Sequence, residues 1–387
     1  TSIYTYLQDR FGNRAYKTGA SFFLLSKIVG AAARLYIVVL ILQRYVFDRW
    51  QIPFIVTASV IVLLIWLYSH RSGIKTIVWT DALQTFFLLG TLVLIIHAVM
   101  NDLNFDFSRM IQTITADERS RIFVFDDWYT KQNFFKQFIS GIFITIVMSG
   151  LDQDMMQKNL SCRTLKDAQK NMYSYGMAFI PVNLLFLSLG ILLAIYAETK
   201  GIAIPALSDE MLPMFATQYL GTAVVIFFSI GIIAAAFSSA DSALTALTTS
   251  FCIDILNVEK KEESRAEQIR KRTHISISIL FILIIVIIKA VNNKSIIDAI
   301  YIIASYTYGP LLGLFAFGLF TKLKANDKWI PYIAFASPIL CYLLDFIFTR
   351  YTNYRFGYEL LMINGLFTMS GLFLASFYNK RLKQTEP

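Results

Sequence analysis

The chain has 387 residues, of which 56% are hydrophobic and 16% are charged, and its mean hydropathy is +0.56. A soluble domain of this length does not need so much apolar sequence, so the composition excludes an ordinary soluble protein and predicts an integral membrane protein. The formal net charge is +9. The excess Lys and Arg lie in the loops between apolar segments, where they bear on membrane orientation, and no nucleic-acid partner is predicted.

The residue types that build catalytic and metal centres are few and scattered. The 3 cysteines and 3 histidines have neither the spacing of a disulfide framework nor that of a zinc site. The sequence contains no phosphate-binding loop, nucleophile elbow or metalloprotease helix. We therefore do not expect an enzyme.

The apolar sequence forms about ten segments that are long enough to cross a membrane as helices. They are continuous and lack the period-two alternation of β-barrel strands, so the predicted class is an all-α membrane protein. The predicted spans cover residues 19–43, 52–69, 76–100, 134–156, 172–197, 217–253, 274–291, 296–320, 329–348 and 359–378.

One set of alternate loops carries more Lys and Arg than the other, for example the charged loop at residues 257–273. Basic loops tend to stay in the cytoplasm, so the bias predicts that both ends of the chain are cytoplasmic. We expect a multi-pass protein of the cell membrane, and of a bacterial inner membrane in particular. The sequence makes no prediction about oligomeric state. The polar start at Thr1, with no Met before it, leads us to expect an N-terminal truncation.

The sixth span carries a polar stripe inside apolar sequence. Ser238, Asp241, Ser242, Thr245 and Thr249 recur at helical spacing, which places hydroxyls and a carboxylate on one face. Such a face is costly in a membrane unless it meets a partner, water or an ion. It serves either for helix packing or as an ion site.

A second carboxylate, Asp81, stands near the start of the third span. An acid in the first turns of a helix is favoured by the helix dipole and can reach interfacial water. The alternative role is a cation ligand, because a hard cation takes several oxygens and Asp81 is predicted at the depth of Ser238 and Ser242.

The fourth span ends in polar sequence that contains Thr145, Ser149, Asp152 and Gln153. This is either the end of a span or a helix interrupted near the middle of the membrane, whose free polar groups contact a substrate. The segment at residues 308–310 in the eighth span is a second candidate break or kink.

Two cations, Lys27 and Arg34, share one face of the first span. They are expected to face the helix bundle or water, with snorkelling toward the membrane surface as the alternative for Lys27.

Four of these segments together resemble the sodium:solute symporter family, and the resemblance covers essentially the whole chain. The similar segments, in chain order, are residues 72–87 (SGIKTIVWTDALQTFF), 150–164 (GLDQDMMQKNLSCRT), 234–256 (AAAFSSADSALTALTTSFCIDIL) and 308–322 (YGPLLGLFAFGLFTK).

The resemblance implies a leucine-transporter-like fold, with two inverted five-helix repeats and extra helices outside them. One transporter domain would cover residues 1–387. Helices three to five of the first repeat would lie at 1–100, an external loop at 101–133, the second repeat at 134–320 and two extra helices at 329–378. The resemblance further implies that the first two core helices are missing.

The resemblance also implies the function, a sodium-coupled symporter that imports a small organic solute by alternating access. The transported coupling ion is Na⁺. The bilayer, sodium and the solute are the expected partners. A sensor module built on the same fold is the alternative.

Site residues follow from the resemblance by position. Ala235 (through its carbonyl), Ser238 and Ser239 match one sodium site. Asp81 with Ser238, Asp241 and Ser242 matches a second sodium site of some members. The implied substrate contacts are Thr145, Ser149, Asp152 and Gln153.

The expected substrate is an amino acid or a monocarboxylate. Sugar-transporting members carry an aromatic gate near Met148 and a glutamine near Ile302, and neither is present here. The segment at residues 32–36 is closer to the proline-transporting branch, which also favours a carboxylate-bearing solute.

Overall fold

The structure is a computed structural model that describes residues 2–69, 74–291 and 296–385. The described chain is helical and contains no strand. Ser72 and Gly73, at the start of the first family-like segment, lie outside it. The helices are α1 (Thr5–Arg10), α2 (Asn13–Leu42), α3 (Phe54–Ser69), α4 (Ile74–Asp102), α5 (Phe107–Ala116), α6 (Phe134–Thr145), α7 (Gln153–Leu160), α8 (Leu165–Lys200), α9 (Met211–Gln218), α10 (Thr222–Ser250), α11 (Glu263–Val291), α12 (Ile296–Phe320), α13 (Ile330–Tyr351) and α14 (Leu360–Thr385).

Within the described residues, 8 helices are long and apolar enough to cross a membrane. Two shorter apolar helices, Phe54–Leu67 and Phe134–Gly150, correspond to the second and fourth predicted spans. Every predicted span therefore has a helical counterpart, and the all-α membrane class is confirmed. The chain is a multi-pass membrane protein.

Three buried apolar clusters hold these helices together. The first joins α2, α3, α10 and α11. The second joins the start of α2, the end of the interrupted helix and α12, α13 and α14. The third joins α4, α8, α9 and the start of α10. Because α2 and α10 each contribute to two clusters, these two helices connect the three clusters.

The fourth predicted span is an interrupted helix. Its first half, α6, is capped by Asn133, whose side chain accepts from the backbone N–H groups of Phe135 and Lys136. It ends in a π-helical turn, Ile146–Gly150. After Leu151, the Asp152 side chain caps the second half, α7, by accepting from the N–H groups of residues 154 and 155. The helix is thus interrupted between α6 and α7, at Leu151 and Asp152.

The other proposed interruption, at residues 308–310, is not a break. Helix α12 runs from Ile296 to Phe320 with Pro310 inside it. A proline in a helix interior removes one backbone hydrogen bond without always ending the helix.

Candidate functional site

A cavity of about 810 Å³ lies beside the interruption between α6 and α7. The interrupted helix contributes one wall, α10 a second, and α2, α8 and Tyr301 of α12 the rest. Polar side chains that line it include Lys27, Arg34, Thr145, Ser149, Asp152, Asp154, Ser238, Ser239 and Ser242. One cavity thus collects residues from the predicted substrate site and from the predicted sodium sites.

The interruption carries two carboxylates that are neutralised from α2. The Lys27 ammonium lies 3.1 Å from Oδ1 of Asp152 and 2.9 Å from Oδ2 of Asp154. The Tyr308 hydroxyl also donates to Asp152 Oδ2, at 2.9 Å. Lys27 is only 6% exposed. The snorkelling alternative for Lys27 is therefore wrong, because its charge is paired inside the bundle.

Arg34 is placed differently, although it shares the helix with Lys27. It is exposed to the cavity, and its Nε donates to the Gly30 carbonyl of its own helix at 3.2 Å. No carboxylate of the described residues forms an ion pair with it. A guanidinium is a planar, permanently charged group that suits an anionic ligand such as a carboxylate.

The polar face of α10 meets α4 through hydrogen-bonding oxygens. The Ser238 hydroxyl donates to a carboxylate oxygen of Asp81. Asp241 is 1% exposed and Ser242 is 7% exposed. Asp241 Oδ2 and Ser242 Oγ are buried with no hydrogen-bond partner among the described residues. Since buried polar atoms nearly always have partners, this oxygen-rich pair is incompletely satisfied by the protein itself.

These side chains fit a sodium ion. Na⁺ is a hard cation that prefers oxygen ligands, and this group offers carboxylate and hydroxyl oxygens. Two unpartnered buried oxygens are what a site for a small cation leaves when protein groups alone are counted. Ser238 and Ser242 line the cavity, Ser238 bonds Asp81, and Asp241 is buried on the same helix without lining the cavity.

Of the other predicted site residues, three line the cavity and Ala235 does not. Ser239 lines the cavity one residue beyond Ser238, and Ser149 lines it at the π-turn. Thr145 also lines it, and its hydroxyl donates to the Gly141 carbonyl of its own helix. Ala235 is half-buried on α10, one turn before Ser238 and Ser239.

Gln153 lies apart from the other predicted substrate residues. It is 2% exposed, and its Oε1 accepts from the backbone N–H of Ile3 at 2.9 Å. It is absent from the cavity lining, whereas its neighbour Asp152 is present. Asp152 is the N-cap of α7 with an extended backbone, whereas Gln153 is the first residue of the helix, so the two side chains leave the chain in different directions.

Sequence reasoning missed a contact at the other end of α10. The Tyr16 hydroxyl of α2 donates to Asp254 Oδ1 at 2.6 Å, and the Ser250 hydroxyl donates to Asp254 Oδ2. Asp254 is 0% exposed and lies in a π-helical turn, Phe251–Ile255. An acid late in a membrane helix was the only available signal, and it did not identify the partner.

Comparison with known proteins agrees with the fold and with the family-like segments. The family model described as sodium:solute symporter family matches residues 2–328. The sodium/sialic acid symporter SiaT of Proteus mirabilis is 26% identical over 334 residues, covering 84% of this chain and 66% of the relative. The sodium/sialic acid symporter NanT of Aliivibrio fischeri is 22% identical, covering 88% of this chain and 68% of the relative.

The human sodium-coupled monocarboxylate transporter 2 is 28% identical over a shorter match of 231 residues. A solved structure of a Na⁺-coupled sialic acid symporter, in a substrate-bound outward-open state, superimposes with a TM-score of 0.81. That superposition has 22% identity and covers 97% of this chain and 77% of the solved chain. The chain thus spans about two thirds of the length of the two bacterial relatives.

These relatives are transporters rather than enzymes, and the solved neighbour carries the same leucine-transporter-like arrangement of helices. The family model covers most of the chain, including every residue of the cavity described above. The chain belongs to the sodium:solute symporter family.

Proposed function

We propose that this chain forms the main part of a sodium-coupled symporter that carries a carboxylate-bearing organic solute. The observation behind this proposal is the shared cavity, in which the Arg34 guanidinium and the sodium-type oxygens of Ser238 and Ser242 face one space. A cation site and an anion-binding group in one cavity give the two ligands a physical reason to bind together.

The domain arrangement follows the resemblance. Residues 1–100 are assigned to helices three to five of the first repeat, 101–133 to an external loop and 134–320 to the second repeat. The remaining helices, at 329–378, lie outside the repeats. The interrupted helix supports this assignment, since it stands first in the proposed second repeat, where transporters of this kind place broken helices.

Two sodium positions are proposed on α10. The Ala235 carbonyl, Ser238 and Ser239 bind one ion, and Asp81, Ser238, Asp241 and Ser242 bind the other. The two unpartnered oxygens of Asp241 and Ser242 support the second position most directly. Substrate contacts are assigned to Thr145, Ser149 and Asp152. Gln153, whose side chain accepts from the backbone N–H of Ile3, is assigned to packing instead.

Coupling between the two ligands is thermodynamic. Sodium bound to α10 favours the conformation that the solute binds, and by linkage the solute then tightens sodium binding. Downhill entry of sodium drives uphill entry of solute through alternating access. At a membrane potential of 100 mV, each charge moved inward contributes about 2.3 kcal/mol. The proposed setting is a bacterial inner membrane, with both ends of this chain in the cytoplasm.

The substrate class rests on Arg34 together with the relatives. Sialic acid and monocarboxylates, which name three of the relatives, both carry a carboxylate group. The predicted amino acid carries one as well. The missing aromatic gate near Met148 still argues against a neutral sugar.

The test is uptake into proteoliposomes that contain the full-length protein, with NaCl or choline chloride outside. N-acetylneuraminate, pyruvate and proline are offered in turn, with glucose as the neutral comparison. We expect sodium-dependent uptake of at least one carboxylate and none of glucose. Absence of sodium dependence for all of them, in a folded protein, contradicts the proposal.

Arg34→Gln sharpens the same test. It should raise the KM for the carboxylate by about tenfold or more, because a charge-assisted bidentate contact is lost. Arg109→Gln, on the exposed helix α5, is the matched control and should leave KM unchanged. An unchanged KM in Arg34→Gln contradicts the assignment of the carboxylate to Arg34.

A further inference from the structure

Helix α12 has a gap in its backbone hydrogen bonding beside the cavity. Proline has no N–H, so Pro310 cannot donate to the carbonyl of the residue four positions earlier, Tyr306. A carbonyl left without a donor in a buried segment destabilises the helix by about as much as a lost hydrogen bond. Some other group has to satisfy it.

That group comes from α14. The Asn364 side-chain amide donates to the carbonyls of Ser305 and Tyr306, at 3.0 Å each. Asn364 is 0% exposed. One of the two bonded carbonyls is therefore the one that Pro310 leaves without its helical donor.

The two helices approach closely enough for this bond because glycines line their contact. A Cβ added at Gly309 would lie 2.4 Å from the Asn364 amide nitrogen, and one at Gly313 would lie 2.5 Å from the Gly365 carbonyl. Small residues at such a crossing let membrane helices pack backbone to backbone. The proline, the glycines and Asn364 thus form one arrangement.

This turn of α12 also carries a residue of the candidate site. Tyr308 lies between Tyr306 and Pro310, and its hydroxyl donates to Asp152 at the interruption of α6 and α7. Tyr308 is 3% exposed, so its position is set by its own helix and by what packs on it. The backbone that Asn364 holds is the backbone that aims Tyr308.

We propose that Asn364 is a positioning residue for transport: it replaces the donor that Pro310 lacks and so fixes the turn of α12 that holds Tyr308 against Asp152. This inference rests on the proposed function. It gives α14 a role in the site, although α14 lies beyond the region matched by the family model, residues 2–328. Simple packing of α14 on α12 is the competing explanation.

The experiment measures how sodium changes access to the cavity, so it needs no knowledge of the solute. Met148, which lines the cavity, is replaced by Cys in the full-length protein. Accessible cysteines such as Cys162 are replaced by Ser, while the buried Cys252 and Cys341 stay. The alkylation rate of the reporter by a water-soluble maleimide is followed as NaCl replaces choline chloride.

Three variants are compared in this background. Asn364→Leu removes the donor and keeps the number and branching of the side-chain heavy atoms. Pro310→Ala restores a backbone N–H for the Tyr306 carbonyl. Thr368→Val is the matched control, because Thr368 is also 0% exposed on α14 but its hydroxyl meets Ser337 of α13 at 2.6 Å.

We expect Asn364→Leu to raise the sodium concentration of half-maximal effect by about tenfold, equivalent to 1.4 kcal/mol. In the Pro310→Ala background the same substitution should shift it by less than about threefold, because the carbonyl again has a donor. Thr368→Val should leave it unchanged. If Asn364→Leu alone does not fold, the double variant should.

Two results overturn the inference while leaving the proposed function intact. In the first, Asn364→Leu shifts the sodium concentration of half-maximal effect equally in the presence of Pro310 and in the Pro310→Ala background. In the second, Thr368→Val shifts that concentration as much as Asn364→Leu does. An unfolded double variant also overturns it. If the Met148→Cys reporter protein without any further substitution shows no response to sodium, the proposed function itself fails, and the inference fails with it.

Discussion

The interrupted helix and the polar face of α10 border the same cavity, but their carboxylates are treated differently. At the interruption, Asp152 and Asp154 share the Lys27 ammonium, and Asp152 also accepts from Tyr308. Where α4 meets α10, Asp81 of α4 accepts from the Ser238 hydroxyl, and Asp241 of α10 accepts from the Thr245 hydroxyl. The protein neutralises the first pair with its own cation, whereas Asp241 forms no ion pair among the described residues and its Oδ2 has no hydrogen-bond partner there.

The difference separates structural charge from transported charge. A buried ion pair supplied by the chain persists through every conformation that keeps its helices together. A buried carboxylate without a protein cation, such as Asp241, remains charged at lower cost when a mobile cation is near it, which makes its neighbourhood sensitive to sodium. Stability should therefore depend on Lys27, and sodium dependence should depend on Asp81 and Ser238.

The largest expected effect is on Lys27. Lys27→Met leaves the buried Asp152 and the half-buried Asp154 without a counter-charge and should lower the free energy of unfolding by about 3 kcal/mol. Lys27→Arg keeps the charge and should recover most of it. Thermal unfolding in detergent measures both, with Lys200→Met, an exposed lysine, as the control. If Lys27→Met is as stable as the unsubstituted protein, the two regions do not differ in the way described.

Asp81→Asn should act on sodium rather than on stability. It removes a carboxylate that accepts from Ser238 and is a proposed ligand of the second sodium position, so we expect the number of sodium ions carried per solute to fall by about one. Sodium and solute fluxes into the same proteoliposomes give that ratio. An unchanged ratio of sodium to solute would exclude the second sodium position. The difference between the two regions would then not extend to Asp81.

The smallest expected effect is on Ser238. Sodium stabilises a protein that binds it in the folded state, so the melting temperature should rise as NaCl replaces choline chloride. Ser238→Ala removes one ligand oxygen and should raise the sodium concentration needed for that rise by about tenfold. Ser229→Ala, earlier on the same helix, is the control. Identical sodium curves for Ser238→Ala and the control would exclude Ser238 as a ligand.

Much of the fold was predictable because the bilayer imposes a simple length rule. Apolar segments of sufficient length predicted the spans, and polar residues at helical spacing predicted the face of α10. Both are local features of the sequence, so one sequence is enough to see them. The interruption at Leu151 was visible as an alternative only, because the same polar residues are typical of the end of a span.

Pairings between distant helices were not predictable. Lys27 and Arg34 share a helix face, yet one is paired with residues 152 and 154 and the other faces open space. Nothing local distinguishes them, since the choice depends on which element packs opposite each side chain. Gln153 illustrates the same limit. It follows Asp152 in the sequence, yet its side chain bonds the backbone of Ile3 while the Asp152 side chain lines the cavity.

The bond between Tyr16 and Asp254 has a mechanical consequence. It ties the start of α2 to the end of α10, and the first apolar cluster joins the same two helices along their length. Two helices joined at one end and along their sides move as a rigid unit. An opening of the cavity toward the side of Tyr16 therefore has to separate this unit of α2 and α10 from the interrupted helix. The ion pairs of Lys27 with Asp152 and Asp154 join the two parts.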